Sequence, residues 1–339
     1  MIRIKIPNGC EKSTALNRQP KNQIDDLVHL VIGILPNPPA LGAVVFLLFL
    51  ACSNPAPSHE ATLPPEVPLV IRTSSYPMAW LVDQLMPSGV DHQNILPAGE
   101  DPLHWQPSAE HVSEVQGADL IVAGGGNFEA WIQTATLPAG HVVNAAAGLE
   151  LIALESQTHS HGVEGEHSHA GDDPHIWMDP TLYGQQAANI AQAIKDTNKV
   201  NPSDVDRTLT ELQEKLQALD TATAAILNAD TPALIANHPA YNYLAQRHSL
   251  SINNLDIDPS QEPTAAQLRA FMTAANNDPA PILIWEATPS EAAQAAFPNT
   301  VRHLVIDPLE QPSEGAYDYL AQATKNNETF QSTIKGNQD

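Results

Sequence analysis

"NPSDVDRTLTELQEKLQALDTATAAILN", residues 201 to 228, is the stretch on which the fold turns. Val205, Leu209, Leu212, Leu216, Leu219 and Ile226 recur at helical spacing, with Thr223 as the one polar member of the series. That is the apolar stripe of a single amphipathic helix. Ser203 suits the N-cap, with Asp206 in the first turn, and about 24 residues at 1.5 Å each span roughly 36 Å. Three heptads would also make a short coiled coil. A stiff spine laid along two folded bodies accounts better for what flanks it.

Upstream, "PLVIRTS" (68 to 74), "ADLIVAGG" (118 to 125) and "HVVNAA" (141 to 146) read as buried strands, separated by the amphipathic "YPMAWLVDQLM" and "PSAEHVSEVQG". Downstream the order repeats. "PALIANH" (232 to 238), "SLSINNLDI" (249 to 257), "PILIWEA" (281 to 287) and "RHLVIDP" (302 to 308) alternate with helical patterns. Strands alternating with helices predict an α/β protein of two lobes with mainly parallel sheets, 67–200 and 230–330, joined by a rigid helix over 201–229.

The chain has 339 residues and 42% hydrophobic residues, enough for two cores. Lys plus Arg number 15 against 39 Asp plus Glu, so phosphate backbones and anionic lipid are repelled and nucleic acid is excluded as a partner. Five of those bases but only three of the acids precede residue 52, which makes the body more acidic still. The two cysteines, Cys10 and Cys52, offer neither a disulfide framework nor a Cys-based zinc site within the folded region. Cys52 closes "LGAVVFLLFLAC", an apolar run of signal-peptide length, and "SNPAPSHEATLPPEVP" follows it. The stretch resembles a bacterial lipoprotein signal: a leader over 1–51, lipid on Cys52 and a Pro-rich tether over 52–66. Phe49 stands where such signals usually have Leu, and a single uncleaved anchor is the alternative. Either arrangement exports the body, to the periplasm or the outer face of the cytoplasmic membrane.

The residues that terminate the apolar runs of the second lobe are His238, Glu286 and Asp307. In open α/β sheets ligands bind outside the carboxyl ends of the strands, so three metal-capable side chains at such ends are informative. The first lobe supplies Glu100, Asp101 and His104 in "LPAGEDPLHWQPS" and His175 in "DDPHIWMDP", a backbone stiffened by two prolines.

These motifs, with "SSYPMAWLVDQL", "ADLIVAGGGNFEAW", "NHPAYNYLAQRHSL" and "VIDPL", run in the order found in the zinc/manganese-specific solute-binding proteins of ABC importers, which residues 67 to 328 resemble. The resemblance implies two lobes, one metal buried between them, a permease as partner, a monomer, and the ligands His175, His238 and Asp307. The family's first ligand usually follows "DP" directly. Here Leu103 takes that place and His104 comes next, so His104 is the expected fourth ligand through a one-residue bulge, with Glu100, Asp101 or water as substitutes.

Three imidazoles and one carboxylate suit tetrahedral Zn²⁺, whereas Mn²⁺, the alternative cargo, prefers more oxygen donors and members that take it commonly carry Glu where His238 stands. His159, His161, His167 and His169 lie among Ser, Gly and Glu, similar to the His-rich insertion of zinc-type members, and are expected to form a mobile loop that collects metal weakly. A metallohydrolase would need an open coordination position, a base and a cleft, and Glu286 is the one spare base, so no enzyme is expected. A surface adhesin or metal buffer without a transporter stays open.

Overall fold

The computed structural model describes residues 67–160, 166–228, 231–312 and 315–335. The leader, Cys52, the tether and His161 lie outside the described residues. Among those described, no helix is long and apolar enough to cross a membrane.

The first lobe is built on β1 (Leu69–Thr73), α1 (Tyr76–Leu85), β2 (Val90–Asn94), α2 (Ala109–Gln116), β3 (Leu120–Ala123) and β4 (Val142–Asn144). Its sheet has the order β2-β1-β3-β4, with every pairing parallel. The second lobe holds β7 (Leu234–Ala236), α5 (Asn242–His248), β8 (Ile252–Asn254), α6 (Ala265–Ala275), β9 (Ile282–Trp285), α7 (Glu291–Ala295), β10 (Arg302–Val305) and α8 (Tyr319–Lys335). Its sheet, ordered β10-β9-β7-β8, is also wholly parallel. All-apolar strands such as "LIVA" and "ILIW" are buried on both faces, as parallel sheets under helices require.

Two elements depart from the sequence reading. The strand β2, "VDHQN", is a polar edge strand of alternating exposure, and its single apolar residue gives too little pattern to detect. The His-rich stretch, expected as a mobile loop, pairs its backbone in an antiparallel hairpin of β5 (Ala153–Ser160) and β6 (Glu166–Asp172). In its register His159 stands opposite His167, and Gln157 opposite His169. The ladder satisfies backbone groups locally, which a reading of side-chain hydrophobicity overlooks.

Between the lobes α3 (Pro180–Asp196) leads into α4 (Pro202–Ala224), a helix of 23 residues. Its N-cap is Asn201, whose side chain accepts from Ser203 N at 3.1 Å, rather than the expected Ser203, because Pro202 takes the first helical position. Val205, Leu212, Leu216, Leu219 and Thr223 are buried, and Thr223 hydroxyl meets Asn327 of α8 at 3.1 Å. Arg247 of α5 grips Asp220 through two bonds of 2.9 and 2.6 Å. The helix thus touches α1, α3, α5 and α8, and one continuous core joins Leu69 and Ile71 of the first sheet to Leu234 and Ile284 of the second.

A core shared through α4 should unfold as one unit. Leu216→Ala is expected to lower stability by about 2–5 kcal/mol in a single transition, while the exposed Glu214→Ala stays within about 0.5 kcal/mol; urea unfolding followed by circular dichroism measures both.

Candidate metal centre

The strand β7 ends at Ala236 and delivers Asn237 and His238; β9 ends at Trp285 and delivers Glu286; β10 leads through Ile306 into the loop that carries Glu310. From the first lobe His175 arrives at the head of a 3-10 turn, Ile176–Met178, after the rigid Asp173-Pro174 pair. His175, His238, Glu286 and Glu310 line a cavity of about 160 Å³ together with Asp101, Leu103 and His104.

His175 is 5% exposed and lies between two acids. Its Nδ1 is 2.7 Å from Asp173 Oδ1, and its Nε2 is 2.7 Å from Glu310 Oε1. Asp173 is fixed in turn: its Oδ1 accepts from His175 N at 3.0 Å, and its Oδ2 accepts from Asn242 of the second lobe at 2.8 Å. A carboxylate on Nδ1 selects the tautomer that leaves Nε2 to a cation. Burial pushes the His175 imidazole down, but the charges and hydrogen bonds of Asp173 and Glu310 more than reverse this and hold it at about 10. Without a metal, a proton on this ring supplies the positive charge that the surrounding acids demand.

His238 stands across the cavity, its ring 5.5 Å from that of His175 and nearly perpendicular to it. Its Nδ1 faces Glu286 Oε2 at 3.7 Å. Burial, then the like charge of Glu310, pushes the Glu286 carboxyl up to about 7. One ligand atom each from His175, His238 and Glu310 lies within 4.8 Å of the others, and among the described residues no other such group of three or more forms. Two nitrogens and one oxygen at this separation suit a first-row divalent cation.

Compared with the sequence expectation, His175 and His238 come together but Asp307 does not join them. Asp307 lies outside the cavity, its Oδ1 accepting from Leu309 N and its Oδ2 from Gln322 Nε2, both at 2.8 Å. The acid that reaches His175 is Glu310, three residues on in "DPLE"; the sequence signal was present, but the strand-end rule picks the first acid of the loop. His104 lines the cavity without belonging to the 4.8 Å group, and its Nε2 lies 3.7 Å from Asp101 Oδ2. Instead of a bulge, residues 101 to 105 form a tight turn in which His104 N and Trp105 N both donate to Asp101 O.

A family model described as "Zinc-uptake complex component A periplasmic" (ZnuA) matches residues 71–333. The chain is similar to the high-affinity zinc uptake system protein ZnuA of Bacillus subtilis, 31% identical over 252 residues that cover 72% of this chain and 78% of the relative. It is 28% identical to the zinc-binding lipoprotein AdcA of Streptococcus pneumoniae over 86% of this chain, and spans only 60% of that longer protein. Among solved structures it resembles the Zn(II)-bound ZnuA-like domain of Streptococcus pneumoniae AdcA, with a TM-score of 0.65 and 25% identity over 79% of this chain and 99% of that one.

The raised His175 pKa has a definite sign. Its protonated contact with Asp173 and Glu310 stabilises the metal-free fold fully below the unfolded value of 6.5, and that stability is lost as pH rises towards about 10. Melting temperatures of metal-free protein should therefore decline across that window, more steeply than those of His175→Gln. A divalent cation, which must displace the same proton, should bind more tightly as pH rises.

Proposed function

The chain belongs to the family of periplasmic zinc-uptake components, and from that membership we propose that it captures one Zn²⁺ between its lobes and delivers it to the permease of an ABC importer. The observation that carries the reading is His175, buried between acids from both lobes with His238 beside it, so that a cation replaces the ring proton and bridges the two halves. His175 Nε2, His238 and Glu310 form the inner ligand set, and His104, which lines the same cavity, is the candidate for the fourth place. Imidazole donors favour Zn²⁺ over Mn²⁺, whose larger shell wants more oxygens. The cavity, about 160 Å³ against the roughly 300–1,000 Å³ of small-molecule pockets, suits an ion better than an organic ligand, which supports a carrier over an enzyme. It works as a monomer outside the cytoplasmic membrane, anchored by lipid on Cys52. Delivery to a permease fits this site better than an adhesin or a buffer, because a bridged two-lobe site changes when the lobes separate.

The hairpin serves as an accessory collector. Its backbone register sets 159 opposite 167 and 157 opposite 169. This frame comes from two strands alone and is weaker than the core around His175, so the tract binds metal less tightly.

Zinc at stoichiometric amounts should raise the melting temperature of stripped protein, and His175→Ala, His238→Ala and Glu310→Ala should each weaken binding by at least about tenfold in chelator competition. An equal loss for His104→Ala would make it the fourth ligand; no change would give that place to water or to Asp101. Deleting residues 159 to 169 should remove only the weak binding events in calorimetry, and loss of the tight event would overturn the division between collector and site.

A further inference from the structure

We infer that Asp307 is a positioning residue, which fixes the turn that aims Glu310 at the metal without touching the metal itself; this rests on Glu310 being a zinc ligand.

The reason lies in the backbone between the two acids. Leu309 has φ of 61°, the left-handed region that side chains with a Cβ rarely adopt. Something must hold it there, and three contacts do. Asp307 Oδ1 accepts from Leu309 N at 2.8 Å, a side chain closing a turn on the backbone two residues ahead. Tyr317 hydroxyl donates to Leu309 O at 2.8 Å, and the Leu309 side chain is only 2% exposed. With the backbone so turned, Glu310 leaves the loop towards His175 Nε2.

Asp307 is itself clamped by α8. Its N donates to Asn326 Oδ1 at 3.0 Å, its O accepts from Asn326 Nδ2 at 2.8 Å, and Gln322 Nε2 donates both to its Oδ2 and to Gln311 O, at 2.8 and 2.9 Å. The helix therefore grips the loop on both sides of Glu310. Trp177, two residues after His175, donates from Nε1 to Pro308 O at 2.9 Å, which ties this loop to the one bearing His175. Each carboxylate oxygen of Asp307 thus holds a donor of the loop or of α8, and the acid lies outside the group of ligand atoms formed by His175, His238 and Glu310. If the acceptor is removed, Leu309 N loses its partner and the backbone is free to leave the left-handed region and carry Glu310 away.

Zinc affinity of stripped full-length protein, measured against a competing chelator, tests this. Asp307→Ala should weaken binding about 10- to 100-fold, as loss of a partner that orients a ligand does, with one tight zinc still bound. Asp307→Asn keeps the acceptor for Leu309 N, although its amide nitrogen then faces Gln322 Nε2 in place of an acceptor, and should weaken binding clearly less than alanine does. Asp307→Gln sets the acceptor one methylene out of place and should resemble alanine, which keeps the comparison alive if the alanine variant does not fold. In a Glu310→Ala background Asp307→Ala should cost nothing more, since it acts through Glu310. Asparagine as damaging as alanine would mean that the bond to Leu309 N does not carry the effect and would overturn the inference. So would a silent Asp307→Ala, or an equal loss in both backgrounds. If Glu310→Ala alone leaves affinity unchanged, the ligand assignment fails first and the positioning role falls with it.

Discussion

The imidazole of His175 sits between carboxylates from opposite lobes, 2.7 Å from each, and the rest of the molecule holds that arrangement in place. Burying an ionic contact removes hydration from every group in it, so such a contact persists only where the geometry is kept tight from all sides. The first lobe supplies the ring and Asp173 on a Pro-stiffened turn; the second supplies Glu310 on a strained one. Two imidazoles and an acid thereby converge into a group that could hold a metal ion.

Such tightness across a lobe boundary requires that the lobes not drift. The spine α4 answers that need by packing its apolar stripe into both bodies at once, while Arg247 ties its C-terminal half to α5 through Asp220. Beyond the helix, polar groups cross between the lobes close to the metal centre: Asn242 on Asp173, Trp177 on Pro308, and Tyr319 hydroxyl on Trp177 O at 2.6 Å. Trp80 stacks on Tyr183, and both rings meet that of Tyr319 at a tilt. Separating the lobes would break these bonds together.

The metal centre also shows why a carboxylate's role follows from its partners and not from its type. Asp173, Glu286, Asp307 and Glu310 all lie within or beside one cavity. Asp173 orients a ring, Glu286 sits at about 7 through burial and the charge of Glu310, Asp307 closes a turn, and Glu310 alone of the four joins the ligand cluster.

Periodicity and strand-end chemistry were local facts, and the chain wrote them plainly. The stripe that begins at Val205 determined the spine and the repeated apolar runs determined two parallel α/β sheets, because burial of a strand or a helix face depends on residues a few positions apart, while "DPHIW" and "NHPAY" offered His175 and His238 as candidates that the structure brings to one cavity. What stayed illegible depended on partners far along the chain. Whether Asp307 or Glu310 enters the cavity is decided by Gln322, Asn326 and Tyr317 on and before α8, how Leu103 and His104 both come to line it by a backbone turn at Asp101, and the pairing of His159 with His167 by a ladder whose sequence carries no apolar pattern. Spacing along a sequence specifies which face a residue shares. The direction of a loop is set by the hydrogen bonds that reach it from elsewhere, and only the tertiary structure brings those donors within range.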